Sequence, residues 1–441
     1  MAPSGEPPWV LTDALVVRQD AGRTVGRADL RIEDGRFSHV GPNAPREGAT
    51  VVDAHAFAAV PGFVNAHAHV ANAPLRGIAD DRDLQGFLEV MFAVDAHHTE
   101  ADVEVGARAG IAEMLLGGTT SFLDLYYFED AVARAAESLG IRAFLGWAVL
   151  DPDKTTQQGR PVDNADAFAR RWKGNARITP VVAPQGVYVC DAETLTSAAE
   201  VATRHGTFCH YHLSETRREV SDHLAKTGRR PVEWLEEIGF LRPGQVAAHA
   251  VWLTGREIDL LAGRKVGVAH CASSNLKLAS GGVAPIVELR RAGATVGLGT
   301  DSVVSNNSLS MLREMHLAGL VQKNHRWDAA ALPAQELLDL ATLEGARLLG
   351  RADDLGSIEV GKRADLSLFR LDHPSLLPAR PEAIVSHLAY AASDEAIDSV
   401  FVDGVRVVAG RRLVRDDLGR IRADAERAAE TLWSHRPRTA G

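Results

Sequence analysis

The chain has 441 residues, enough for a large core, and an α/β barrel can take well over half of that length as one unit. A hydrophobic share of 46% with 24% charged residues is that of an ordinary soluble protein, and the net charge of -10 argues against a polyanionic partner such as nucleic acid. Cys190, Cys209 and Cys271 are too few and scattered for a disulfide framework, Met1–Glu6 has no basic region leading into an apolar one, and no apolar run reaches membrane-spanning length, so a cytoplasmic protein without membrane contact is expected.

In residues 9–60, Trp9-Val10-Leu11, Ala14-Leu15-Val16-Val17, Asp29-Leu30-Arg31-Ile32 and Thr50-Val51-Val52 read as short strands between turn signals such as Asp34-Gly35. From Pro61-Gly62 the pattern changes to strand then helix, repeatedly. The first strand ends in His67-Ala68-His69, and residues i and i+2 of a strand share a face. Two such imidazoles either line a polar pocket or bind one metal ion, and the number of ligand-type residues at later strand ends decides between them. Segment 70–98 is too long for a tight loop and is expected to overhang the strand ends. A helix opens at Thr99-Glu100-Ala101-Asp102, carries Val103, Ala107, Ile111 and Leu115 at i+4 spacing, and stops at Gly117-Gly118.

Further strands are expected at 119–124, 142–145, 178–182, 207–212, 246–249, 266–270 and 295–301, with a helix over 130–138 and a capping box at Thr254-Gly255-Arg256-Glu257. Eight strands alternating with helices imply an α/β fold, a closed TIM-type (β/α)8 barrel over 61–357. The tail, 358–441, returns to strands at 364–369 and 399–404. With residues 1–60 it is expected to form a small β-sandwich domain built from both chain ends, followed by a helix over 421–434 whose charged face is solvated.

His67 and His69 end strand one, His212 strand five, His249 strand six and Asp301 strand eight. In such barrels the chemistry sits at the C-terminal strand ends, so these five metal-type residues converge on one site. Adjacent His97 and His98 read as surface residues. His210 shares the face of His212 and reads as structural, and Cys271 as packing.

This pattern resembles the amidohydrolase superfamily, in its branch of nucleoside- and heterocycle-processing aminohydrolases and chlorohydrolases. The resemblance rests on Pro61-Gly62-Phe63-Val64-Asn65-Ala66-His67-Ala68-His69, His212-Leu213-Ser214-Glu215-Thr216, Ala248-His249-Ala250, His270-Cys271-Ala272-Ser273-Ser274-Asn275-Leu276-Lys277-Leu278 and Gly299-Thr300-Asp301-Ser302. Ser305-Asn306-Asn307 and Glu314-Met315 add a likeness to methylthioadenosine/S-adenosylhomocysteine deaminases. The resemblance implies His67, His69, His212 and Asp301 as ligands of a divalent metal ion, zinc first and iron(II) second. It implies Glu215, His249 and Asp301 as catalytic residues. Binuclear relatives bridge two ions with a lysine after strand four; here no lysine lies between Lys173 and Lys226, so one ion per chain is expected.

The expected reaction is hydrolytic deamination of a heterocyclic or nucleoside-like small molecule by water. A metal ion with an open position makes hydroxide available near neutral pH to attack a ring carbon bearing an amino group. Glu215 then shuttles protons to the ring nitrogen and to departing ammonia, and His249 steadies developing charge. Chloride or alkylamine as leaving group, as from a triazine, is the alternative; a non-catalytic scaffold predicts eroded ligands, and none is eroded. A homo-oligomer is expected as well. Phe87, Asp95, Trp147, Gln185, His249 and His270 are the expected substrate contacts. Several depart from the relatives' pattern: Phe87-Leu88 stands where a Trp-Leu pair is usual, Asp95 for glutamate, Gln185 for histidine, Trp147 for arginine, and Ala272 for proline in the strand-seven motif. Those changes point to a planar, little-charged substrate.

Overall fold

Apolar residues on both faces of Trp9–Val17 (β1) make it the middle of a sheet covered on two sides. Leu15 and Val17 pack with Ala58 and Val60 toward the barrel, whereas Leu11, Ala14 and Val16 pack with Ala59, Leu30 and Leu366 on the far face. A register shift between Leu11 and Ala14, with Asp13 at φ 55°, carries the strand across this change of partners. The computed structural model describes residues 7–437; the reading of Met1–Glu6 concerns residues outside that range.

Both chain ends supply the nine-stranded sheet. Its first strands are β1, β2 (Val25–Glu33), β3 (Arg36–Gly41), β4 (Thr50–Asp53) and β5 (Phe57–Pro61). The barrel strands come next: β6 (Phe63–Ala68), β7 (Thr119–Tyr126), β8 (Arg142–Val149), β9 (Ile178–Pro184), β10 (His210–Leu213), β11 (Val246–His249), β12 (Gly267–His270) and β13 (Val296–Leu298). The tail adds β14 (Leu366–Arg370), β15 (Ile397–Val402), β16 (Val405–Ala409) and β17 (Arg412–Leu413). The sheet order is β17-β16-β15-β14-β5-β1-β2-β3, with β4 beside β1. β14 pairs antiparallel with β5, which stitches the tail to the N-terminal strands.

The eight barrel strands form two parallel four-stranded sheets, β6 to β9 and β10 to β13. Single parallel bridges at Val182–Cys209 and Ala68–Asp301 join them at both seams. The ring is therefore the expected TIM-type barrel, narrowest in hydrogen bonding where β10 and β13 are shorter than their sequence suggests. At the second seam Asp301 N–H donates to the His67 carbonyl at 2.9 Å. Gly299 makes that approach possible, since a Cβ there would lie 2.8 Å from His67 Cβ.

Segment 70–98 folds as a 3₁₀ turn, Val70–Leu75, and a helix, Leu84–Asp95, capped by Asp83 accepting from Gly86 N–H. This helix covers the strand ends. Its other side packs with Leu75 and Ile78 against Ala428 and Leu432 of the C-terminal helix Leu418–Leu432. Trp433 Nε1–H donates to the Pro74 carbonyl at 3.0 Å.

The sheet and the N-terminal end of the barrel meet at a buried charge cluster. Arg142, fully buried at the start of β8, donates to Asp403 at 2.5 Å and to Asp365 at 3.3 Å. Arg363 also reaches Asp403, at 2.9 Å. Removing one member of a buried pair leaves the other charge unpaired in a poor solvent. Arg142→Met is expected to destabilise the fold by about 3–5 kcal/mol, read as a lower urea midpoint. A loss under about 1 kcal/mol, the worth of an exposed pair, would mean that Arg363 suffices.

Candidate active site

The strand ends bring together the residues that their periodicity selects. The Val246 carbonyl can only accept, so His210 Nδ1 carries a proton across their 3.0 Å contact. His210 Nε2 is then the lone pair that accepts from His67 Nδ1–H at 2.7 Å. That leaves His67 Nε2 with a lone pair, fully buried and, among the described residues, without a hydrogen-bond partner. His69 Nδ1–H donates to the Leu125 carbonyl at 2.5 Å, and His212 Nδ1–H to the Gln185 carbonyl at 2.6 Å. Each bond fixes the tautomer with its Nε2 lone pair facing the other two.

Asp301 completes the set. Its Oδ1 lies 3.3 Å from His67 Nε2 and 3.2 Å from His69 Nε2. Adjacent ligands of a tetrahedral ion with bonds of ~2.0–2.1 Å stand about 3.3–3.4 Å apart, so the spacings of Asp301 to His67 and His69 suit one such ion. Oδ2 is held by the hydroxyls of Ser274 at 2.6 Å and Ser305 at 3.1 Å. Asp301 sits in the left-handed region at φ 59°, as do His249 at 73° and Ala250 at 49°. Such strain at three strand-end positions aims the side chains inward.

Electrostatics divide the three imidazoles: burial lowers His69, but the neighbouring Asp301 carboxylate outweighs it and raises that ring above its usual range. Burial pushes the His67 and His212 imidazoles well below their usual range, against the pull of Asp301. Burial alone would raise Asp301; the His67 and His69 rings beside its Oδ1 outweigh that and hold its carboxyl well below the carboxylate range. Glu215 behaves oppositely: burial, then the charges of Asp301 and Glu219, push its carboxyl well above that range. Its Oε2 lies 3.6 Å from His249 Nε2 and its Oε1 has no partner. Asn275 Nδ2–H donates to His249 Nδ1 at 3.1 Å, which leaves the proton of His249 on Nε2, facing the site. Burial lowers His249 to about 4.

A cavity opens from these residues under the helix Leu84–Asp95. Phe87, Asp95, Gln185 and His249 line it, together with Leu84, Leu88, Met91, Tyr126 and Tyr188. Its lining contains no lysine or arginine among the described residues. Asp95 accepts from Tyr126 Oη–H at 2.5 Å and from His98 Nδ1–H at 3.2 Å.

Two expected contacts lie elsewhere. Trp147 is on the outer face of β8 and packs between Phe128 and Phe168, with ring centroids 6.3 and 6.1 Å away; its neighbour Ala148 has the inward place. His270 is buried and is not among the residues that line the cavity; among the described residues neither of its ring nitrogens has a hydrogen-bond partner. His98 is not a surface residue either: it comes after a helix rather than lying on a strand, and its ring turns inward to Asp95, while His97 is exposed and stacks on His435.

Sequence reasoning missed Tyr126, which needed the full length of β7 to be placed inward. Ser274 and Ser305 stand within recognisable motifs but carry no signal of their partner. Glu219 was hidden among helix charges; its carboxylate accepts from the backbone N–H groups of Ser214 at 2.8 Å and Glu215 at 2.7 Å. Burial pushes it up to about 7, against those N–H bonds.

A model of the amidohydrolase family matches residues 58–407. A 5-methylthioadenosine/S-adenosylhomocysteine deaminase of Thermodesulfovibrio yellowstonii is 40% identical over 410 residues, 90% of this chain and 92% of that one. Among solved structures, an adenosine deaminase from Xanthomonas campestris with bound zinc superposes with a TM-score of 0.91 at 32% identity, over 97% of this chain and 98% of that one. The zinc complex of an atrazine chlorohydrolase from Arthrobacter aurescens gives 0.87 at 26% identity, over 96% and 100%. The matched segment runs from β5 through the whole barrel into the tail strands, and it contains every histidine and carboxylate that converges on the site: the chain belongs to the amidohydrolase family.

Proposed function

We propose that the protein is a metal-dependent hydrolytic deaminase of an amino-substituted N-heterocycle of nucleoside type. The observation that carries this is the approach of three fixed Nε2 lone pairs and Asp301 Oδ1 beside a buried carboxyl, Glu215, that burial pushes well above the carboxylate range. His67, His69, His212 and Asp301 would hold one divalent ion, and zinc is the reading that the imidazole-rich donors and the zinc-bound relatives support. That ion supplies an activated water as nucleophile.

The chain's own residues do the rest. Asp301 takes a proton from the water. Glu215 delivers its own proton to the ring nitrogen as the amino-bearing carbon becomes tetrahedral, takes up the proton of the added hydroxyl as the carbonyl forms and passes it to the departing amine, and is reprotonated at the end from Asp301. His249 donates from Nε2 to the developing charge. The Leu84–Asp95 helix, with Phe87 and Met91, covers the heterocycle and excludes water; Gln185 and Asp95 offer it polar contacts. His270 and Trp147 have no part in this reading. The assignment of 61–357 to the catalytic barrel and of 1–60 and 358–441 to the accessory sheet belongs to the same proposal, as do a cytoplasmic location and a homo-oligomeric state. Among the described residues no helix is long and apolar enough to cross a membrane.

Ammonia release from a panel of purine nucleosides, pterins and pyrimidines tests the function. No ammonia from any of them would defeat it. Selectivity is a sharper expectation. A cavity without a cation has nothing to pair with a substrate carboxylate. 5′-Methylthioadenosine is therefore expected to exceed S-adenosylhomocysteine in kcat/KM by at least about 10-fold, the size of a modest pocket preference. Equal values would mean that the carboxylate reaches Arg217 or Lys226, which border an adjoining outer cavity. The apolar lining also suits a triazine. Chloride or alkylamine release without deamination would favour that second reading.

A further inference from the structure

We infer that Glu219 is a positioning residue that sets the place of Glu215, an inference that rests on the proton-shuttle role just assigned. Among the described residues, the Glu215 side chain makes no hydrogen bond that would fix it. Oε1 has no partner, and Oε2 is 3.6 Å from His249 Nε2. Its position is therefore dictated by its backbone, and that backbone is irregular: β10 ends at Leu213, and Ser214 turns the chain at φ 47°.

Glu219 holds this turn from the helix Arg217–Thr227. One carboxylate oxygen accepts from Ser214 N–H at 2.8 Å and the other from Glu215 N–H at 2.7 Å. The carboxylate itself is fixed at its root, because Glu219 N–H donates to Thr216 Oγ1 at 3.1 Å at the helix cap. On the far side of the turn, the Ser214 carbonyl accepts from Val251 and Trp252 N–H at 3.1 and 2.9 Å. The peptide entering the shuttle residue is thus gripped from the helix and from the loop after β11. That loop directly follows His249, the last residue of β11.

Glu219 is itself buried and forms no ion pair among the described residues. A carboxylate in such a place is costly unless hydrogen-bonded, and both its oxygens are used on these two amides. A helix-capping role alone would be satisfied at the cap residue. Glu219 reaches one and two residues beyond it, to the shuttle and the residue before it.

Glutamine at this position has the same shape but turns an NH₂ toward an N–H donor. Aspartate keeps the charge but is one methylene short of both amides. The test compares E219Q, E219D, E215Q and E215Q/E219Q as metal-loaded full chains, by ammonia release from 5′-methylthioadenosine and by metal content. E219Q and E219D are expected to lose about 10²-fold in kcat, the effect of roughly 1 Å of misplacement. KM should stay within a few-fold and metal content should not change. E215Q/E219Q should equal E215Q, because a misplaced shuttle costs nothing once the shuttle is gone. Losses that multiply in the double variant, or full kcat in either single variant, would overturn the inference and leave the deaminase reading standing. Wild-type turnover that survives E215Q would instead remove the shuttle role on which both rest.

Discussion

Glu215→Gln should lower turnover by about 10²–10⁴-fold, the usual worth of a general acid-base group, while metal content stays at that of the wild type. The separation follows from geometry. Glu215 approaches His249, whereas the proposed ligand atoms are Nε2 of His67, His69 and His212, which lie together, and Oδ1 of Asp301, beside His67 and His69. Glutamine preserves size and burial but has no carboxyl proton to give the ring nitrogen and cannot carry a further one to the amine. The high affinity of Glu215 for a proton, caused by burial and by the charges of Asp301 and Glu219, makes the carboxyl the donor on the forward path. Rate retention within a few-fold would show that another group moves the proton.

Asp301→Ala should do more, taking bound metal well below one equivalent per chain and turnover with it. Asp301 is the only carboxylate in the ligand groups found among the described residues, and its Oδ1 is the atom shared by His67 and His69. Removing it leaves three neutral imidazoles and strands the Ser274 and Ser305 hydroxyls that grip Oδ2. His67→Ala should behave alike, because it also breaks the relay to His210 and Val246. His210→Ala is milder: the ligand stays, but its tautomer is no longer fixed, and losses of this kind behind a ligand cost about 10–100-fold in metal affinity. Elemental analysis of each purified variant reads these effects directly. Wild-type metal content in Asp301→Ala would refute the ligand assignment.

The barrel and the gathering of His67, His69, His212, His249 and Asp301 at its strand ends were legible because both depend on short-range rules. A period of two places His67 with His69, and the C-terminal strand end places His212, His249 and Asp301, without knowledge of any tertiary contact. Face parity along a longer strand was harder. β8 runs to Val149, four residues past its expected end, and at its far end the inward position is Ala148 rather than Trp147. The helix over the site was invisible for a different reason. Phe87, Leu88, Val90, Met91, Phe92 and Val94 form a near-continuous apolar run because one side meets the cavity and the other the C-terminal helix. A helix covered on both sides shows no 3.6-residue alternation. His98 was misplaced with it, since its inward turn to Asp95 exists only once that helix is formed. Glu219 lies beyond sequence reading altogether: its partners are backbone amides, which have no signature of their own.

Deamination driven by one metal ion at His67, His69, His212 and Asp301 is open to a direct titration. The metal is stripped and zinc is added back stepwise, with ammonia release followed at each addition. The rate should rise linearly from near zero and break at about one equivalent per chain. A break at two equivalents, or ammonia release from the metal-free protein, would contradict a single catalytic ion.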